Sequence, residues 1–226
     1  MKIATWNVNS INVRMPQLLG WLETADPDIV CFQETKSIDD NFPVMALKAA
    51  GYDAVFMGQK SYNGVAIISK FPIEDVQKNF LDDDDESPKR LIAATIKGVR
   101  IVDTYIPNGT AIETDKFTFK LDWLQRLRRL FDENCDPNND VLLCGDFNVA
   151  PDAVDVWNPP AWEGKLHFSK PERAAMPLNR WRNCPDTIQV PSRSEFRLPA
   201  LPWDAPQSSR RDPARGSVKK IRSSDM

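Results

Sequence analysis

Short apolar runs that each close on an oxygen-bearing side chain constrain this chain more than any other feature. Residues 2–7 alternate apolar and polar and end at Asn7; Ile29 to Phe32 are continuously apolar and end at Gln33 and Glu34. A strand pattern over residues 99–106 carries Tyr105, and Val141 to Cys144 close on Gly145-Asp146-Phe147-Asn148. Continuous apolar runs of this length are strands covered on both faces, and alternating ones are covered on one. Between them, Met15, Leu18, Leu19 and Leu22 recur at helical spacing with Pro16 suited to a first turn, which predicts a helix over 15–24. Asn41 with Pro43 and Gly51 bracket a second, short helix by cap logic. Further strands are expected at 52–57, 64–70, 91–97 and 99–106, the last two joined into a hairpin at Lys97-Gly98. Phe117, Leu121, Leu124, Leu127 and Phe131 share one face of a third helix near 115–133, with Thr114 as its N-cap. The sum is an α/β layered protein with helices on the outside.

Composition narrows the class. A chain of 226 residues, 42% apolar and 27% charged, is that of a soluble globular protein with a sizeable core. No stretch reaches the roughly 20 apolar residues of a membrane helix. The N-terminus lacks a signal-peptide core, so a cytoplasmic location is expected. Of the cysteines, Cys31 and Cys144 sit in apolar runs and read as buried free thiols, and Cys135 and Cys184 complete a set without any Cys-x-x-Cys pair. The net charge is −3, so any nucleic-acid contact must come from a local basic patch. Charge is uneven: residues 177–226 hold ten Lys/Arg, five Asp/Glu and seven of the 18 prolines, a balance of +5 that leaves −8 for residues 1–176. The expected organisation is one domain over 1–176 followed by a disordered, non-homologous tail over 177–226.

Where strand ends neighbour one another in a sheet, side chains such as Asn7, Glu34, Tyr105, Asp146 and Asn148 would fall into one cleft. Magnesium takes a few hard oxygen ligands and keeps most of its waters, so Glu34 with Asn7 can hold it. Asp146 and Asn148 then face a water or a scissile phosphate, the carboxylate as general base and the amide as orienting group. Any one of these residues alone is more often a turn former, and periodicity does not decide between the two readings.

Five stretches do. Ala4–Ser10 (ATWNVNS), Gln33–Lys36 (QETK), Tyr62–Ile67 (YNGVAI), Tyr105–Gly109 (YIPNG) and Gly145–Pro151 (GDFNVAP) stand in the order and at the spacing of the exonuclease III family. The chain thus resembles that family, within the endonuclease/exonuclease/phosphatase superfamily, and the likeness continues weakly through Trp162 and Pro171–Ala175. The resemblance implies a two-sheet β-sandwich flanked by helices. It implies magnesium-dependent cleavage (manganese as a substitute) of double-stranded DNA at abasic sites and 3′ ends, with no membrane and no obligate protein partner. By the same resemblance Asn7 and Glu34 are metal residues, joined by Asp146 and Asn148. Tyr105 contacts the phosphate, Asp146 activates water, and Asn148 orients it. Lys116, just ahead of the third helix, is a candidate phosphate-backbone contact.

The likeness breaks in the last quarter. The family's closing Ser-Asp-His has no counterpart: Ser224-Asp225-Met226 stops short of it, and Asp186-Thr187-Ile188 and Trp203-Asp204-Ala205 are chance-level echoes of earlier segments. The chain's only histidine, His167, has no Ser-Asp before it and reads as an ordinary loop residue. Expectations therefore include an incomplete second sheet, partial exposure of Leu91–Tyr105 and Val141–Phe147, and impaired turnover, since one lost electrostatic element costs on the order of 10²–10³ in rate. A catalytically dead remnant and a small-molecule phosphatase of the same superfamily are the alternatives. A tail translated out of frame would explain the change of composition. Of the remaining features, the acidic run Asp82–Glu86 reads as a solvated loop rather than a calcium loop. Lys120, Arg126, Arg128 and Arg129 read as a wet helix face, and Trp21 and Trp123 as packing residues.

Overall fold

The helix over the first strand starts a full turn earlier than its apolar spacing predicts, and the reason ties it to the site. In the computed structural model, which describes residues 1–134 and 139–176 within one folding unit, β1 (Ile3–Asn7) leads into α1 (Ile11–Ala25). The amide N–H groups of Ser10 and Ile11 donate to the carbonyls of Glu34 and Thr35 at 2.8 and 3.0 Å. Donors that a helix start leaves without partners are thus satisfied by the loop after β2 (Ile29–Gln33). Pro16 consequently lies inside the helix rather than in its first turn. The next helix, α2 (Val44–Ala49), begins after Pro43, and Asn41 belongs to a preceding 3-10 turn instead of capping it.

The chain continues through β3 (Asp53–Met57), β4 (Val65–Ser69), β5 (Glu74–Lys78), β6 (Leu91–Ile96), β7 (Val99–Tyr105), α3 (Asp115–Asn134), β8 (Val141–Asp146), α4 (Pro159–Trp162) and α5 (Lys170–Ala175). Two four-stranded sheets result, ordered β1-β2-β4-β3 and β5-β6-β7-β8. Among the described residues only β1/β2 and β7/β8 are parallel pairs. Lys97 and Gly98, both at positive φ, turn the β6–β7 hairpin as expected. β5 escapes sequence reasoning because four of its five side chains are exposed, so it carries no apolar period.

Three apolar layers hold this arrangement. Leu18, Leu22 and Leu47 of α1 and α2 pack on Val30, Phe32 and Ile68 of the first sheet. Trp123, Leu124, Leu127 and Phe131 of α3 pack on Leu91, Ala93 and Val102 of the second. Ile29, Cys31 and Ile67 meet Ile92, Ile101 and Cys144 between the sheets. The architecture is the two-sheet sandwich flanked by helices. Cys31 and Cys144 are buried free thiols. Trp123 packs edge-on to Phe80, and Trp21 edge-on to Trp6.

Expected exposure of the second sheet holds only at its last strand. β6 and β7 are buried almost throughout, because β5 and α3 cover them, whereas Val141, Leu142 and Leu143 of β8 are half-buried. Among the described residues β8 pairs with β7 alone. Asp82 and Asp83, the first acids of the run, are held by Arg126, in keeping with a surface loop. The tail from 177, its motif echoes, Cys135 and Cys184 lie outside the described residues.

One polar group interrupts the inter-sheet core. Asp103 is fully buried; its Oδ1 accepts from Gln33 Nε2 at 2.6 Å, and its Oδ2 has no partner. Burial pushes its carboxyl well above the ordinary carboxylate range, against the pull of the Gln33 amide. A raised acid makes the folded state the one that binds the proton. Stability is therefore lost as pH rises from the unfolded value near 3.8 towards the folded one. Asp103→Asn, which mimics the protonated acid, is expected to raise the melting temperature at pH 8 by roughly 3–6 °C, about 1–2 kcal/mol for a chain this size. The gain should vanish at pH 4; equal melting temperatures at pH 8 would refute the assignment.

Candidate active site

Strand alternation delivers the site. Along β1 the side chains facing the opposite sheet are Ile3, Thr5 and Asn7; along β2 they are Ile29, Cys31 and Gln33; along β7, Ile101, Asp103 and Tyr105; along β8, Leu142, Cys144 and Asp146. Each inner face thus runs from apolar to polar towards the strand's C-terminal end. The register of the two parallel pairs sets Asn7 beside Gln33 and Tyr105 beside Asp146. The polar ends of both sheets therefore meet at one mouth of the sandwich. Alternation would send Glu34, next after Gln33, to the other face. Its backbone instead takes a left-handed turn, φ 53°, and its carboxylate joins the cleft. Left-handed backbone at a non-glycine residue costs on the order of 1–2 kcal/mol.

At the centre, one amide bridges two carboxylates. Asn7 Nδ2 donates to Glu34 Oε1 at 2.8 Å and to Asp146 Oδ2 at 2.7 Å, while its Oδ1 accepts the Asn9 N–H. Glu34 also takes the Lys36 ammonium at 2.8 Å and the Tyr105 hydroxyl. Burial works against its charge, but the Asn7, Lys36 and Tyr105 donors outweigh it and hold Glu34 below its ordinary value. Asp146 goes the other way: burial raises it, the Glu34 charge adds to that, and the Asn7 amide and Asn148 N–H only partly compensate. Burial beside Glu34 pushes the Tyr105 phenol up, so it stays a donor at neutral pH. Asn148 reaches Asp146 through its backbone N–H at 3.3 Å. Its side-chain amide turns instead to the Ile106 carbonyl at 3.0 Å. The structure thus brings Asn7, Glu34, Tyr105 and Asp146 into direct contact and sets the Asn148 amide one step behind them. Lys116 stands exposed on the first turn of α3.

The donor set suits a hard divalent cation. Among the described residues no three His, Cys, Asp or Glu side chains form a cage by themselves. Magnesium needs none: it binds through one or two carboxylates plus waters and substrate phosphate oxygens. Two carboxylates drawn to one amide, one of them destabilised by the other's charge, are a pair that such an ion would neutralise.

The Endonuclease/Exonuclease/phosphatase family model matches residues 4–217. The chain belongs to that family. Exodeoxyribonuclease III of Haemophilus influenzae is 31% identical over 186 residues, covering 77% of this chain and 69% of the relative. Among solved structures, the 3′ phosphatase NExo from Neisseria bound to a product DNA hairpin is 40% identical with a TM-score of 0.74, over 81% of this chain and 71% of that one. An AP endonuclease from Archaeoglobus fulgidus is 39% identical with a TM-score of 0.73, over 77% and 68%. The likeness to exonuclease III read from five motifs is thereby shown over most of the chain.

In this family member three side chains behind the centre escaped sequence reasoning. Arg90 stacks on the Tyr105 ring at 4.5 Å and donates to the Tyr105 carbonyl at 3.1 Å, fixing the phenol from behind. Lys120 was expected on the wet face of α3; it is fully buried, because it stands three residues after Phe117 and four before Leu124 on the apolar stripe. Its ammonium meets the equally buried Glu172 at 2.5 Å. His167 is no ordinary loop residue either. Its Nδ1 lies 2.5 Å from the Asn148 carbonyl and its Nε2 3.4 Å from Asn108 Nδ2. Burial holds the ring below its ordinary value, so it is neutral at physiological pH, with Nδ1 carrying the proton donated to Asn148. The only signals were a lysine in phase with an apolar stripe and a histidine just ahead of a Ser-x-x-Glu capping box.

Proposed function

We propose that this chain is a magnesium-dependent DNA phosphodiesterase of repair, acting at 3′ ends and abasic sites. The observation that carries the reading is the convergence of Glu34, Asn7 and Asp146 beside a protonated Tyr105. Exodeoxyribonuclease, 3′ phosphatase and AP endonuclease relatives support DNA as the substrate. Glu34 would hold the cation with Asn7 beside it, and manganese would substitute. A bound ion of this kind withdraws charge from the phosphoryl oxygens and stabilises the leaving alkoxide. Tyr105 donates its hydroxyl to a phosphate oxygen. Asp146 takes a proton from the attacking water, the role its raised basicity suits. Asn148 holds the Asp146 carboxylate in line through its N–H. Lys116 meets the phosphate backbone beside the site.

The test uses the full chain, Mg²⁺ and duplexes carrying an internal abasic site, a recessed 3′ end or a 3′-phosphate. Cleavage of one or more is expected, lost on EDTA and restored by excess Mg²⁺ or Mn²⁺, and lost in Glu34→Ala. Cleavage that persists in EDTA, or no cleavage of any of the three, sinks the reading; the latter favours a remnant without turnover.

A further inference from the structure

Lys120 uses its three N–H donors on three separate segments. Its Nζ lies 2.7 Å from the Asn148 carbonyl, 3.1 Å from the Asn108 carbonyl and 2.5 Å from Glu172 Oε1. The first two oxygens belong to the loops that follow β8 and β7, the strands that carry Asp146 and Tyr105. Glu172 is held in turn. Its Oε1 accepts the His167 N–H at 3.0 Å, and its Oε2 the Ser169 hydroxyl at 2.6 Å and the Ser169 N–H at 3.1 Å. Gly109 rests against the Lys120 stem: a Cβ there would come to 3.0 Å from Lys120 Cδ. The loops after β7 and β8 and the turn before α5 therefore converge on one ammonium.

Stability alone is a weak reason to bury such a pair, since a buried ion pair is often no better than apolar residues of the same volume. What an apolar residue cannot do is hold two carbonyls at hydrogen-bond distance. Asn148 sits at φ 48°, in the left-handed region that asparagine tolerates better than most residues. Lys120 and His167 both grip its carbonyl, and its N–H then points at Asp146.

We propose that Lys120 is a positioning residue of the phosphodiester-cleaving site, its ammonium pinning the Asn108 and Asn148 main chains while Glu172 anchors it. The inference rests on the function proposed above but is tested separately from it. Three full-length variants suffice: Lys120→Met, Glu172→Gln and the double variant. Lys120→Met strands the Glu172 charge and should melt well below the parent, whereas the double variant, with both charges gone, should regain most of that loss. At 25 °C, where all are folded, turnover is expected to follow the ammonium rather than the melting temperature. Glu172→Gln leaves the buried ammonium without its anchoring charge and should also melt below the parent; the double variant, though closest to the parent in melting temperature, should lose about 10²-fold in kcat, with KM for duplex DNA within threefold. Amide hydrogen exchange, which needs no activity, should quicken at 106–110 and 147–150 in the double variant despite its recovered melting temperature. If Lys120 merely stabilises the fold, the double variant recovers kcat along with its melting temperature and the two loops exchange at the parent rate, and the proposal falls. Should the parent itself cleave nothing, the function fails, and exchange at the two loops alone decides for or against Lys120.

Discussion

Replacing Asp146 by asparagine is expected to remove at least about 10³-fold of single-turnover DNA cleavage and, in the same molecule, to raise the melting temperature. Both effects follow from one geometry. Asp146 is inward-facing at the end of β8, its carboxylate bonded to Asn7 Nδ2 and the Asn148 N–H, with the Glu34 charge across the same amide. Burial and that like charge raise its basicity, which suits a group that must take a proton from water. The same shift is a cost to the fold. An acid whose folded value is raised destabilises the native state at every pH above it, and the penalty fades as pH falls through that value. Asparagine keeps an oxygen for the Asn7 amide or the Asn148 N–H and carries no charge. Melting measured in EDTA at pH 8 should therefore show a gain of a few degrees that disappears in acid. A variant within tenfold of the parent rate would remove Asp146 from the chemistry, and a lower melting temperature at pH 8 would refute the account of its burial.

What the sequence disclosed and what it hid divide along a physical line. β1, β2, β7 and β8 were legible because strand burial writes itself as apolar runs, and the oxygen-bearing residues at their ends stood where the runs stopped. The meeting of those ends was legible only through resemblance. Periodicity orders residues along a strand but says nothing of which sheet edge faces which, and Asn7 and Asp146 are 139 residues apart. The left-handed turn that recruits Glu34 was invisible, since alternation alone assigns it to the wrong face. Lys120 and His167 were misjudged for a related reason. A lysine in an apolar stripe is usually a stem that reaches water, and nothing in the local sequence announces a carboxylate 52 residues downstream to receive it. Edge strand β5 has no apolar period at all. Local chemistry is written locally; convergence is not.

Gly145→Ala should be among the most damaging added methyls of the described residues, for reasons that join fold and site. Gly145 stands opposite Thr104 in the parallel β7/β8 register at φ 137°, outside the range most side chains accept. A Cβ there would lie 2.0 Å from the Thr104 carbonyl oxygen and 2.8 Å from both its carbon and its nitrogen. These are backbone atoms of a buried strand, so β8 must part from β7 one residue before Asp146. Gly98 provides the control. It too has positive φ, 80°, but nothing lies within 4 Å of its would-be Cβ, so alanine there pays for backbone conformation alone. That is on the order of 1–2 kcal/mol, or ~3–6 °C for a chain of this size. Gly145→Ala adds a steric clash and lost ladder bonds, in the range above about 4 kcal/mol that few substitutions reach, or ~10 °C or more. Because the parting strand carries Asp146, displacement of the base by about 1 Å should also cost on the order of 10²-fold in turnover, while Gly98→Ala turns over like the parent. Thermal melts and single-turnover rates of the two alanine variants, side by side, make the comparison. If both lose the same few degrees and both keep full activity, the close approach of β8 to β7 does not aim Asp146, and the ordering of the site from strand ends must be abandoned.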